Sequence, residues 1–440
     1  MNKDERLELA KWTIQQARKY GADDVAVNIS RERDIEIEYR GSQLDKLQDA
    51  AESRLSVDLY VNNRFSSYTT NDMQRDRLEK FLEEAVAMTK YLNEDPYHSL
   101  PDPKYYEGRQ DVDLHIYDPN YESVSSDERV AIARKMEKTA RAQSENVVAC
   151  TSYYSDTIGE SVKVHSNGFE GHKQSTSFKI EIEVTVCDEK ECRPNDYDSR
   201  TVRYFKNLPD PEELSVRAVK RAFRKIGQIK LDSGRYEMVV ENRARPSFLR
   251  ALHQPMQGRS LQQKSSFLDG KIGQQIASEK LTIIDDPFVE SGLGSQLYDR
   301  EGLAARRRVI VDKGILKSYY IDCYYGKKLG MEPNGGSSSN LAFECGTKSL
   351  DELISQMKKG IFVTGFIGGN SNSTTGDFSF GIVGMYVEDG QIIKPVNEMN
   401  VSGNMNEFWH KLVETGNDPY TYSSWRRPSM YFKDIQFSGV

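Results

Sequence analysis

The stretch FLRALHQPMQGRS, residues 248–260, carries His253, one of six histidines in the chain, on a predicted short helix. A start signal precedes it, Ala244-Arg245-Pro246-Ser247, with Pro246 expected at the first helical position, where its missing N–H costs nothing. An imidazole on a helix can bind zinc, but zinc hydrolysis from a helix commonly needs a second histidine on the same face and a glutamate as base. The residues that follow are Gln254, Pro255, Met256, Gln257 and Gly258. None can ionise to act as a base, and none is a usual zinc ligand. Pro255 also interrupts the helix where a second ligand would project. His253 is therefore expected to be an ordinary hydrogen-bonded or cleft-lining histidine. No residue of the chain is assigned as catalytic or as a metal ligand, and no cofactor is expected in it.

Two glycine-rich tracts are the other places where backbone could meet a ligand, residues 334–340 (NGGSSSN) and 368–377 (GGNSNSTTGD). Neither is a phosphate loop, which needs spaced glycines, a Lys-Ser/Thr pair and a following helix. Glycine permits close backbone approach, so Asn370, Thr375, Gly376 and Asp377 join His253 as candidates for lining a cleft. No G-x-S-x-G elbow is present, which leaves a serine hydrolase without support. The five cysteines, Cys150, Cys187, Cys192, Cys323 and Cys345, are odd in number and thinly spread. Free thiols in a reducing compartment follow, with Cys187 and Cys192 as loop-borne thiols, and a cytoplasmic location is expected.

The opening MNKDERLELAKW has no apolar signal region, and no apolar run approaches the ~20 residues of a spanning helix. No membrane association is expected. Sixty basic residues against 67 acidic ones give a net charge of −7. The basic runs, Arg306-Arg307-Arg308 and Arg426-Arg427, are short, so direct nucleic-acid binding is not expected.

The elements that position these residues begin with a duplication. Asp4-Glu5-Arg6 and Asp127-Glu128-Arg129, 123 positions apart, each open an amphipathic helix. A short strand follows each, ADDVAVNIS and ENVVACTSY. Alternating strands come next, DIEIEYRGSQ and SVKVHSNGFEG, then RLSVDLYV and SFKIEIEVTV. Each copy closes on a helix, RDRLEKFLEEAVAMTKYL and PEELSVRAVKRAFRKIG, and short strand connections imply antiparallel sheets covered by helices.

After Gly234 the chain becomes strand-dominated. Asp312-Lys313-Gly314 and Glu388-Asp389-Gly390 mark hairpins. SLDELISQMKKG is expected as a helix ending at Gly360, and GNMNEFWHKLVETGND as a late helix stopping at Gly416. The expected fold is α+β: a duplicated helix–antiparallel-sheet N-terminal half followed by a large β-rich C-terminal domain. Its units are expected at 1–115, 116–230 and 231–440.

Four stretches then resemble one family in its order: SSFLDGKIGQQIASEKLTIIDDP, DREGLAARRRVIVDKGILKSYYID, NSTTGDFSFGIVGMYVEDGQII and VSGNMNEFWHKLVETGND. The family is TldD/PmbA, whose members have also been called modulators of DNA gyrase. The resemblance implies a soluble α+β protein with a β-rich domain around a cleft. TldD-type members resemble zinc metallopeptidases with His-Glu-x-x-x-His on a helix and a cysteine ligand near the C-terminus. Registered through SSFLDGKIG, the two histidine positions fall near Leu249 and Gln254. Slid onto His253, the motif puts Gln254 for the glutamate and Gly258 for the second histidine. No cysteine follows Cys345, and the corresponding tail reads SSWRRPSMYFKD. The chain thus resembles the PmbA type, also called TldE, the metal-free member of a peptidase pair. The resemblance implies a zinc-bearing TldD-like partner and unfolded peptide as substrate. A non-catalytic peptide-binding homodimer and a modulator of gyrase acting by protein contacts are the alternatives.

Overall fold

The structure, a computed structural model, describes residues 1–189 and 191–439. The N-terminal half contains α1 (Lys3–Lys19), β1 (Asp24–Arg40), β2 (Gln43–Val61), β3 (Arg64–Thr70) and α2 (Arg75–Thr89). The same order recurs in α3 (Ser126–Arg141), β4 (Val147–His165), β5 (Glu170–Val186), β6 (Asn195–Val202) and α4 (Pro211–Phe223). Both leading helices open with a capping box, Asn2 with Glu5 and Ser125 with Glu128, which satisfies otherwise orphaned amides. The next residue in each is a buried arginine, and both reach carboxylates on β4, Arg6 to Glu160 and Arg129 to Asp156.

The six strands form one antiparallel sheet in the order β3-β2-β1-β4-β5-β6. The two copies meet at β1 and β4, from Ala26 opposite His165 to Arg40 opposite Thr151. Here the expectation of two short strands per copy is corrected: ADDVAVNIS and DIEIEYRGSQ are one unbroken strand, and their counterparts merge in β4. The physical reason lies on the helical face. There α1 and α2 cover Val25, Val27 and Ile29, whereas α3 and α4 cover Ile35, Ile37 and Tyr39. Arg31 and Arg33 occupy the gap between the helix pairs, and Arg33 bridges Asp49 at 2.7 Å and Glu122 at 3.1 Å. The charged residues that lie between the two segments in sequence fill a seam. Each buried Ile on either side contributes roughly 1.5–3 kcal/mol.

The second half opens with β7 (Gly234–Val240), α5 (Ser247–His253) and α6 (Gly258–Gln262). Short elements follow: β8 (Ile283–Asp285), β9 (Arg308–Asp312), β10 (Ile315–Leu316), α7 (Cys323–Leu329), β11 (Leu341–Phe343) and α8 (Leu350–Ser355). Three long strands come next, β12 (Lys359–Ser371), β13 (Asp377–Glu388) and β14 (Gln391–Asn404). The chain ends with α9 (Met405–Phe408), β15 (Leu412–Thr415), β16 (Trp425–Arg426) and β17 (Met430–Ser438). Strands β14-β13-β12-β7-β17 run in sequence, and β17 pairs back onto β14 at Val401 and Phe437, closing a barrel. The remaining sheet, β10-β9-β8-β11-β16, shares its core with α5. Both predicted hairpin turns have two successive positive φ values, 46° and 78° at Lys313-Gly314 and 45° and 75° at Asp389-Gly390.

Two helix expectations fail here. The helix α8 stops at Ser355, because Gly360 already belongs to β12, where an added Cβ would lie 2.6 Å from the Glu237 carbonyl of β7. The late helix is four residues long. It gives way at Leu412 to β15, whose pairing with Phe432 and Met430 outweighs local helical preference. The predicted loop around Cys187 and Cys192 includes residue 190, which lies outside the described residues; all five cysteines are unpaired.

The helix-free face of the N-terminal sheet is covered by loops of the second half. Arg203, just beyond β6, donates to the carbonyls of Gly292 at 3.2 Å and Leu293 at 2.6 Å. Tyr298 packs edge-on against Phe169 at 5.1 Å, and Gly171 leaves room for it, since a Cβ there would fall 2.6 Å from the Tyr298 ring.

Candidate functional site

The helix α5 is held by its apolar face. Phe248, Leu249, Ala251 and Leu252 are buried in the barrel core, and Phe248 packs against Phe366, Phe378, Phe380 and Phe408. Pro246 sits one position before the helix rather than at its first turn. Pro255 ends the regular helix as expected, and Gln254–Met256 continue as a single 3-10 turn leading into α6.

His253 projects from the end of α5 between two rings, Tyr320 at 4.5 Å and Trp425 at 5.2 Å. Its nearest polar neighbour is the Gln257 amide nitrogen at 3.3 Å. Burial, followed by the Arg308 guanidinium, lowers its pKa to about 4, so the imidazole is neutral near pH 7. Trp425 belongs to the tail segment SSWRRPSMYFKD. The tail thus reaches α5, but it brings an indole where a metal site would need a thiolate.

Beside this packed histidine lies an open cleft of about 670 Å³, lined by Gln254, Gln257, Arg300, Tyr320, Asp322 and Ser373 among others. Gly258 lies at its wall because its backbone bonds to the Tyr320 carbonyl at 2.8 Å, and a Cβ would meet Tyr325 Cβ at 2.8 Å. None of the loop candidates Asn370, Thr375, Gly376 and Asp377 lines this cleft; from the same tract Ser373 does, anchored through its carbonyl to the Phe267 amide at 2.8 Å. Asn370 is exposed and paired with Ser379 in the β12–β13 ladder. Thr375 and Asp377 bond to each other at 2.7 Å, and Asn404 donates to Asp377 at 2.8 Å. Those bonds hold the Asp377 carboxyl below the usual carboxylate range. Arg300, Tyr320 and Asp322 were not singled out by residue chemistry. Their signal was the run DREGLAARRRVIVDKGILKSYYID, which carries Arg300 near its start and Tyr320 and Asp322 at its end.

The register leaves no open strand edge beside Asp377 to which an extended peptide could add. From its first residue β13 is bonded on both sides, Asp377 to Asn404 of β14 and Phe378 to Ser371 of β12. An open edge lies elsewhere, at residues 43–54 of β2, where β3 pairs only from Leu55 onward.

Comparison with known proteins bears on this arrangement. Three family models cover most of the chain: PmbA/TldA metallopeptidase domain 1 at 25–89, the central domain at 119–226 and the C-terminal domain at 233–439. A solved structure from Bacteroides thetaiotaomicron, described as a candidate modulator of DNA gyrase, is 39% identical with a TM-score of 0.97 and full coverage of both chains. Metalloprotease PmbA of Escherichia coli is 26% identical over 95% of this chain and 93% of its own length. TldE from Thermococcus kodakarensis shares the fold, with a TM-score of 0.87 at 22% identity over 98% of this chain and 100% of that one. The chain belongs to the PmbA/TldD family.

The family's metal chemistry does not fit the residues present. Leu249 is in the apolar core, Gly258 has no room for a side chain, and Trp425 occupies the tail position nearest His253. Among the described residues no group of three or more His, Cys, Asp or Glu side chains converges as a metal site.

Two expected outcomes follow from this geometry. His253→Ala should remove ring packing that contributes roughly 0.5–1.5 kcal/mol per aromatic pair. It should change the activity of any assembled complex by less than about tenfold, against the 10²–10⁴-fold that loss of an acid/base group costs. Steady-state peptide cleavage with the wild-type and mutant subunits distinguishes the two. For the loop, Gly376 has φ of +88°, and a Cβ would lie 2.9 Å from Asn404 Oδ1. Gly376→Val should therefore cost about 1–3 kcal/mol and reduce complex activity while the chain still unfolds in one cooperative transition. Unchanged activity with that strain present would remove the loop from the cleft wall.

Proposed function

We propose that this chain is the metal-free subunit of a two-chain peptidase, pairing with a zinc-bearing TldD-type partner and helping to enclose an unfolded peptide. The observation that carries the reading is the end of α5. There a family metalloprotease would present ligands, and this chain presents one neutral histidine clamped between Tyr320 and Trp425. The chain's own residues contribute walls. Gln254, Gln257 and Ser373 offer neutral donors and acceptors, and Arg300 and Asp322 offer opposite charges. Such a surface can bond to an extended backbone without chemistry of its own. A hidden nucleophile is not supported either: burial pushes the thiols of Cys150 and Cys323 up, away from the reactive thiolate.

Among the described residues no helix is long and apolar enough to cross a membrane, and the unpaired cysteines support a cytoplasmic setting. The net charge of −7 speaks against a grip on DNA, so any link to gyrase would run through protein contacts. Elemental analysis of the purified chain after dialysis against a weak chelator is expected to find no stoichiometric zinc. About one zinc per chain would contradict the metal-free assignment. Purification from native extract is expected to bring down a TldD-type chain in about equal amount; recovery as a homodimer alone would favour the homodimer alternative.

A further inference from the structure

The helix-free face of the N-terminal sheet and the loops laid across it enclose a second cavity, about 370 Å³ in volume. Arg300 and Asp322 line both this cavity and the cleft beside α5, so the two are neighbours. The floor is built by strand register. Ala26 faces Asp58 across β1 and β2, and Asn28 faces Lys163 across β1 and β4, so Asn28, Asp58 and Lys163 share one face. Glu301 lines it from the loops of the second half. One wall is a stack of rings, Phe65 on His98 at 4.5 Å and His98 on Tyr324 at 3.9 Å, with interplanar angles of 8° and 22°.

Arg300 and Asp322 pair with each other at 3.9 Å, but among the described residues Lys163, Asp58 and Glu301 have no ion-pair partner. The Lys163 ammonium donates to the Arg300 carbonyl, and among the described residues no carboxylate lies within ion-pair distance of it. The Asp58 side chain makes no hydrogen bond or close ion pair among the described residues. Glu301 accepts the Cys323 backbone N–H at 3.1 Å and has no cation at ion-pair distance. Burial, reinforced by Asp299, raises the Glu301 carboxyl to about 7, as expected for a buried acid short of a cation. Elsewhere the fold pairs such groups closely, as Arg308 with Asp285 at 2.9 Å. Partly buried charges left open around a cavity are costly unless something enters to pair them.

Two unpaired carboxylates and one unpaired ammonium beside a column of stacked rings, whose edges an aromatic ring can pack against, are the complement of a zwitterion that carries a ring. We propose that this cavity binds a free amino acid or dipeptide with an aromatic side chain. The α-ammonium lies between Asp58 and Glu301, the α-carboxylate meets Lys163, and the ring packs on the Phe65–His98–Tyr324 wall. The volume falls in the small-molecule range, and edge-to-face packing on these rings adds to the charge pairing. Adjacency to the cleft makes a product of peptide cleavage a natural occupant. The binding claim does not require that origin, and it is tested on this chain alone, so its failure and that of the companion-subunit reading are distinguishable.

The experiment is calorimetric titration of the purified chain with L-phenylalanine, N-acetyl-L-phenylalanine and L-phenylalaninamide. L-phenylalanine is expected to bind. Blocking either end removes one charge-assisted contact and should weaken binding by about tenfold or more. Lys163→Met and Glu301→Gln should each weaken L-phenylalanine to a similar degree while the thermal unfolding transition is retained. Absence of binding at millimolar ligand, or equal binding of the free and blocked compounds, would overturn the proposal. The blocked ligands decide the question on the wild-type chain even where a variant fails to fold.

Discussion

Asp156→Ala is expected to destabilise the chain by about 3–5 kcal/mol, the cost of breaking a buried pair and leaving its partner uncompensated. Asp156 is 1% exposed and accepts three hydrogen bonds, from Arg129 Nε at 2.6 Å, Tyr121 OH at 2.5 Å and Tyr154 OH at 2.6 Å. Alanine removes the acceptor of all three bonds and strands a guanidinium that is itself 4% exposed. It also uncouples α3 from β4, where the second copy of the duplication is anchored. Asp156→Asn keeps an acceptor and the shape, so its loss should be smaller. The corresponding pair of the first copy, Arg6 with Glu160, is more open on the acid's side, 21% exposed, and Glu160→Ala should cost less than Asp156→Ala. Urea unfolding followed by circular dichroism measures all three. A loss below about 1 kcal/mol for Asp156→Ala, in the range of an exposed pair, would show that Arg129 finds another partner.

Those two arginines show what was legible in the sequence. Asp-Glu-Arg recurs at Arg6 and Arg129, and the structure places each at the same point after a capping box, buried against β4. Local signals of this kind, caps and alternation, need no tertiary context. The continuity of β1 was not legible, because Arg31 and Arg33 resemble a break until helix pairs are known to leave a gap above them. Leu412 likewise reads as helical until Phe432 of β17, 20 residues on, lies beside it. Barrel closure depends on Val401 meeting Phe437, a pairing with no local trace. That the positions of the zinc motif carry no usual ligand was legible from residue types at 249, 254 and 258. That Gly258 is sterically closed by Tyr325 and that Trp425 packs on His253 needed three dimensions. The open charges at Asp58, Lys163 and Glu301 come from three separate segments, so nothing in their spacing announced a cavity.

As the metal-free subunit proposed above, this chain should not cleave peptides alone. A TldD-type chain bearing His-Glu-x-x-x-His should gain activity when the two are combined, by a hundredfold or more, roughly the lower end of what positioning and acid/base groups contribute. Unstructured peptides should be cut and folded domains spared, because the cleft's donors and acceptors can reach only an extended backbone. The decisive measurement is cleavage of an unstructured peptide by this chain, by the TldD-type chain, and by their mixture, each with and without chelator. The account predicts cleavage at the full rate only in the mixture, abolished by chelator. Chelator-insensitive cleavage by this chain alone would contradict it.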